Sequence, residues 1–281
     1  MFTRRGVLAS TAAVIIGWPK RASAAGHPVM ERLLRDRMGQ VCTPAQTAAL
    51  LGTLKRLSQA ALPTQGRFIL VNTAACTLDA YDSGVPVLTM LTACGKRRAP
   101  TPSLSVSAGV ITLNPTWTPP ASILREADWS HAVSDPVFMR KWGFSHIGGR
   151  VVQAPGPHNL LGKLKLSLEG GGTIYLHDTN EPEGFALTSR HLTHGCVRLQ
   201  HPAALGAWLL GLDPQFMVSR IDSGSRITMP PIAPTAVTLA YFTAWPDAQG
   251  RIAFHPDPYG LDGEHSHRKV EGIEVMEGTS W

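Results

Sequence analysis

The sequence predicts a mainly-β domain, carrying an N-terminal helical arm and an ordered, loop-rich insertion. Three observations predict it. Short aliphatic and β-branched runs recur between Gly66 and Trp245, separated by turn residues. The run Lys163-Leu-Lys-Leu-Ser-Leu168 alternates strictly, as a half-buried strand does. Helical periodicity is confined to the first sixty-odd residues and one later stretch.

The elements follow in order. Residues 1–24 read as a signal peptide: Arg4-Arg5, a short apolar stretch from Val7 to Trp18, then Ala22-Ser-Ala24. The arginine pair points to the twin-arginine export route, hence to the periplasm, with no transmembrane segment after removal. Residues 25–65 form the helical arm. Leu33, Leu34 and Met38 recur at helical spacing, and Thr43-Pro44 opens a second run whose Ala48, Leu51, Leu54 and Leu57 share a face. Residues 66–245 form the main domain. Phe68–Val71 is a strand, and Thr77–Tyr81 and Val85–Leu91 make a hairpin around Asp82-Ser-Gly84. Val110–Leu113 is closed by Asn114-Pro115. After Gly170-Gly-Gly172, Thr173–Leu176 resumes as a strand that ends on His177. Pro202 to Leu210 suits a short helix stopped by Gly211, and Val237–Phe242 is a late strand. Residues 114–160 lack periodicity, yet Trp117, Trp129, Phe138, Trp142 and Phe144 argue for an ordered insertion bordering a cleft. Residues 246–281 read as an extension, its last thirty residues a polar, mobile tail in which His265-Ser-His267 is no metal motif.

Composition narrows the function. The chain has 281 residues and a formal charge of +6. The leader takes four of its 26 basic residues and no acid, leaving 22 against 20 acidic ones. That balance gives no support for a nucleic-acid partner. Cys42, Cys76, Cys94 and Cys196 allow three full disulfide pairings, and the sequence does not choose among them.

The chemistry concentrates in Ser189-Arg-His-Leu-Thr-His-Gly-Cys-Val-Arg198. A thiol, an imidazole and a guanidinium around one glycine suit a cysteine acyl-transfer site. A free thiol has a pKa near 8.5, so only about 3% is thiolate at pH 7 and a base or a cation is needed. His194 is the nearer imidazole. His177 ends another strand and approaches across the cleft, and it is the expected base. Cys196 is the expected nucleophile. Gly195 is assigned to the oxyanion side, His194 to a structural or oxyanion-side role, and Arg198 to a substrate carboxylate or to bracing the loop. A zinc site built from His191, His194, Cys196 and His201 lacks the paired hooks of familiar sites. No cofactor is implied.

His177 followed by Thr193-His-Gly-Cys196-Val-Arg198 resembles the signature of YkuD-type L,D-transpeptidases. Phe68–Asn72, Ile111–Pro120, Tyr175–Thr179 and Thr243–Trp245 resemble the YcbB-like group within that family. The resemblance runs from about Gly66 to Asp262. It implies a β-rich YkuD catalytic domain acting on peptidoglycan stem peptides. The cysteine would attack the carbonyl of the third, meso-diamino acid residue, expel D-Ala and hand the acyl group to an acceptor amine. Alternatives on the same thioester are an L,D-carboxypeptidase, a cross-link hydrolase and attachment of a protein to the wall. A non-enzymatic zinc or wall-binding module is the outsider. The resemblance further implies inhibition by carbapenems, and substrate contacts from Arg198, Thr193, Tyr175, Trp117 and Asn159. Residues 114–160 would cap the substrate, and Cys94 would lie near the cleft.

Overall fold

The computed structural model describes residues 27–247 and 249–263; the predicted leader and the His265-Ser-His267 motif fall outside them. Two helices come first, α1 (His27–Met38) and α2 (Pro44–Leu57). The start of α2 is fixed locally. Thr43 accepts from the Gln46 N–H, the Gln46 side chain accepts from the Thr43 N–H, and Pro44 fits the first turn. These bonds satisfy donors that a helix start leaves without partners. Leu34, Leu50 and Leu57 then pack with Phe68, Tyr81, Phe242 and Trp245. The arm thus shares a core with the sheet.

Four strands follow: β1 (Arg67–Asn72), β2 (Thr77–Asp82), β3 (Val85–Gly95) and β4 (Leu104–Leu113). The insertion holds α3 (Ala121–Leu124), α4 (Ala127–Ala132), α5 (Pro136–Trp142), β5 (Phe144–Ile147) and β6 (Arg150–Gln153). Next come β7 (Leu164–Glu169), β8 (Tyr175–His177), a 3-10 turn at Pro182–Ala186, β9 (His191–Thr193) and β10 (Val197–Leu199). The chain continues through α6 (Pro202–Leu210), α7 (Pro214–Asp222), β11 (Ile227–Met229), β12 (Thr235–Ala240), β13 (Ala244–Pro246) and β14 (Ile252–Phe254).

The main sheet closes on itself. β10 pairs with β8 on one side and β3 on the other, so β10-β8-β7-β4-β12-β1-β2-β3 form a ring. Closure removes the free edges that an open sheet would present. Ile69, Val71, Leu78, Leu166, Leu176, Val197 and Leu239 belong to the principal core. The fold class is mainly β, as expected.

Two regions are more structured than the sequence reading anticipated. The insertion contains a hairpin whose turn, Gly148-Gly149, has φ of 56° and 74° at its two central residues. Two successive positive φ values suit a two-residue hairpin, and glycine reaches them without strain. Its aromatic rings form a core of their own, with Trp117, Phe144, Val151 and Leu161 buried at its centre. The expectation of a mobile tail fails for the part that is described. β14 pairs with β13, and Asp257 accepts from the hydroxyl of Tyr241. Arg56 of the arm is paired with Asp262. Buried partners rather than polarity decide whether such a segment is held.

Candidate active site

The site is built by strand register. In the parallel pair β8–β10, Val197 lies opposite Leu176 and Arg198 opposite His177. Val197 and Leu176 are fully buried in the core. Alternation along each strand therefore sends Cys196, Arg198, Tyr175 and His177 to the other face. All four line a cavity of about 260 Å³. The opposite wall comes from the insertion, through Trp117, Pro120, Ile123 and Trp129.

His177 is buried, and its Nδ1–H donates to the Asp178 carbonyl at 2.5 Å. That bond leaves Nε2 as the acceptor. Burial, followed by the nearby Arg198 and Lys165 charges, drives its pKa down to about 3, against the pull of the Asp178 carbonyl. The resting imidazole is therefore neutral, with an unprotonated Nε2. Cys196 has the complementary state. Burial raises its thiol pKa; the Tyr175 N–H and hydroxyl and the Lys165 charge oppose that rise. Its thiol donates to the Thr173 carbonyl at 3.4 Å. The resting pair is thus a thiol and a neutral imidazole, both uncharged.

The Thr-His-Gly-Cys loop is fastened by a hydroxyl. Thr193 Oγ1 accepts from the Gly195 N–H at 3.2 Å and donates to the Cys196 carbonyl at 2.6 Å. Gly195 has φ of 117°, where a side chain would be strained, and a Cβ there would press on Ile174. This bears on two expectations. The Gly195 N–H already has a partner and is no oxyanion donor in this geometry. Thr193 lines the cavity, but its hydroxyl is occupied within the loop.

The two expected substrate contacts in the insertion divide. Trp117 lines the cavity, buried and edge-on to Trp129 with ring centroids 5.5 Å apart. Asn159 does not. Its Nδ2 donates to the carbonyls of Pro115 and Ala154, and its Oδ1 accepts from the Leu161 N–H. It is 1% exposed and ties the ends of the insertion together. Gln153 does similar work, bonding the carbonyls of Trp142 and His158 and the N–H of Leu160.

His194 turns toward the insertion. Its Nε2 lies 3.0 Å from Glu126 and 2.6 Å from Lys96 Nζ. The four residues of the zinc reading do not converge: His191 points to the Thr73 carbonyl and Cys76, whereas His194 points to Glu126. Cys94, expected near the cleft, is fully buried and contacts Thr92 and Cys76. All four cysteines are unpaired.

Sequence reasoning missed three charged residues here. Glu181 lines the cavity and accepts from Arg198 at 2.8 Å. Glu126 holds His194 to the cap. Lys165 lies opposite His177 on β7, with Nζ 4.5 Å from the centre of the Tyr175 ring. Only Lys165 had a signal. The alternation from Lys163 to Leu168 puts its side chain on the face opposite Leu164 and Leu166, and His177 at a neighbouring strand end shares that face.

The closed sheet thus sets a thiol and an imidazole on adjacent strands beneath an inserted cap. The family model for the YkuD L,D-transpeptidase catalytic domain matches residues 66–215, and the chain belongs to that family. A Haemophilus influenzae protein described as a putative L,D-transpeptidase is 27% identical over 218 residues, covering 69% of this chain and 44% of its own length. The chain thus spans under half the length of that relative. Among solved structures, an L,D-transpeptidase from Mycobacterium smegmatis aligns with a TM-score of 0.32 at 16% identity, covering 61% of this chain and 58% of that one. L,D-transpeptidase 3 from Mycobacterium tuberculosis, in complex with a faropenem-derived adduct, aligns with a TM-score of 0.32 at 15% identity, covering 62% and 60%. Among the described residues, no helix is long and apolar enough to cross a membrane.

Proposed function

We propose that the chain is a peptidoglycan L,D-transpeptidase with Cys196 as nucleophile and His177 as general base. The observation that carries this reading is the register of β8 and β10. It places a protonated thiol and a neutral imidazole on one face of a cavity. A protonated thiol requires a base, and His177 Nε2 is the free acceptor on that face.

His177 takes the thiol proton as Cys196 Sγ attacks the carbonyl of the third stem residue. The Cys196 N–H is the candidate donor to the developing oxyanion. The C–N bond to D-Ala then breaks, and the amino group of D-Ala leaves with the proton from His177. An acceptor amine attacks the thioester, gives up a proton to His177, and restores the thiol. Arg198, braced by Glu181, faces a carboxylate of the stem. Trp117 and Trp129 cover the peptide, and Tyr175 steadies the sulfur. Such a thiol also opens a carbapenem ring, so acylation by imipenem belongs to the same proposal. The twin arginine and small-residue exit of the leader support delivery to the periplasm.

The test is incubation with purified tetrapeptide muropeptides, followed by mass spectrometry. Cross-linked dimers from the wild type and none from Cys196→Ala are expected. Shortened stems without dimers would replace transfer by hydrolysis. Unchanged products from Cys196→Ala would remove the mechanism.

A further inference from the structure

The proposed mechanism leaves one charge unexplained. When Cys196 ionises, the negative sulfur sits in a half-buried site, and His177 is a poor cation. The imidazole is buried, and the charges of Arg198 and Lys165 oppose its protonation. A lasting imidazolium–thiolate pair is therefore disfavoured. Some other positive group must balance the sulfur.

Lys165 fits that requirement by position. It lies opposite His177 across β7–β8, and Ser167 lies opposite Tyr175. His177 in turn lies opposite Arg198 on β10. Lys165, His177 and Arg198 thus form one row across three strands, and Tyr175 and Cys196 stand in the next. The Lys165 ammonium rests over the Tyr175 ring, 4.5 Å from its centre. The hydroxyl and N–H of the same tyrosine face Cys196 and oppose the rise of its thiol pKa. Lys165 has no carboxylate partner in any recorded ion pair among the described residues, whereas Arg198 is tied to Glu181. On β4, packed against β7, the residue opposite Lys165 is Thr112, which carries no charge. Burial lowers the Lys165 pKa, a charge on Cys196 raises it, and Arg226, on the approach to β11, lowers it further. Across the cavity, His194 is engaged by Glu126 and Lys96.

We propose that Lys165 is the fixed countercharge of the Cys196 thiolate, held in place by the face of Tyr175. It sets the fraction of reactive sulfur without touching the substrate. This rests on Cys196 as the nucleophile, but its test needs no muropeptide.

The experiment measures alkylation of Cys196 by iodoacetamide across pH 6–10, followed on the Cys196 peptide by mass spectrometry so that Cys42 does not interfere. Melting curves of every variant check the fold. In Lys165→Met the midpoint should rise by about one pH unit, so alkylation at neutral pH slows roughly tenfold, the effect expected from loss of one nearby opposite charge. Lys165→Arg should keep the wild-type midpoint, because it keeps the charge and the ring contact. Should Lys165→Met not fold, Lys165→Gln takes its place. An unmoved midpoint in the neutral variant, or an equal rise in Lys165→Arg, overturns the proposal. Either result leaves cross-linking by Cys196 to be judged separately on muropeptides.

Discussion

The two walls of the cleft hold their side chains in different ways. On the sheet wall, Cys196, Tyr175, His177 and Arg198 are placed by backbone pairing, so a shift of one residue would turn all of them into the core. On the cap wall, Trp117 is held by a single backbone bridge to Gln153, Trp129 on a short helix packs edge-on against it, and the side-chain tie to the catalytic loop is the exposed Glu126–His194 contact. The first arrangement ties four side chains to the register of one strand pair. The second rests mainly on short helices and packed rings. Chemistry should therefore be sensitive to the sheet wall, and substrate affinity to the cap.

Substitutions can break that contrast. Cys196→Ala should abolish cross-linking altogether, measured as dimeric muropeptide. His177→Ala should slow imipenem acylation by about 10²–10⁴-fold, the range for loss of a general base, while His194→Ala should cost far less. Equal losses would move the base to the cap side. Thr193→Val should destabilise the fold by about 1–3 kcal/mol, because the Gly195 N–H and the Cys196 carbonyl lose their partner in a tight loop; denaturant titration reads this. Trp129→Ala should raise KM by about tenfold with kcat little changed, as expected when uniform binding is lost. Glu126→Gln should do the same more weakly. A large fall in kcat from either cap variant would erase the distinction between the walls.

The pH dependence of stability sharpens it further. His177 has a folded pKa of about 3, below its unfolded value near 6.5. Between those values the unfolded chain binds the proton more strongly, so this residue contributes stability that is lost as pH falls through that window. His177→Gln should flatten the fall in melting temperature between pH 6.5 and 4. An unchanged slope would place the acid sensitivity elsewhere.

The same contrast explains what could be read from the residues alone. The sheet wall was largely legible, because period-two alternation and the position of His177 at a strand end follow from local pattern. Ring closure was not, since β9 and β10 are three residues each and gain their identity from pairing with β3 and β8. The cap was legible only as aromatic and ordered. Its helices are too short for a periodic signal, although Gly148-Gly149 marked its hairpin. The bonds of Asn159 were not legible, because the carbonyls of Pro115 and Ala154 reach it only on folding. Thiols give a parallel lesson. A hydrogen bond with the Cys94 thiol pulls the Cys76 pKa down against its burial, helped by His191 and Arg190, yet Cys76 is 1% exposed. A lowered pKa without access makes no nucleophile, and Cys196 is the more accessible thiol.

The hydroxyl of Thr193 must receive one hydrogen bond and give another inside a single turn. Among the twenty side chains, only two are short enough and carry both functions. The position thus has an alphabet of serine and threonine. A chain that keeps cysteine at its nucleophile but writes any other letter here should carry a thiol on an unfastened loop, so its reactivity can fail while its signature cysteine and histidine remain in place.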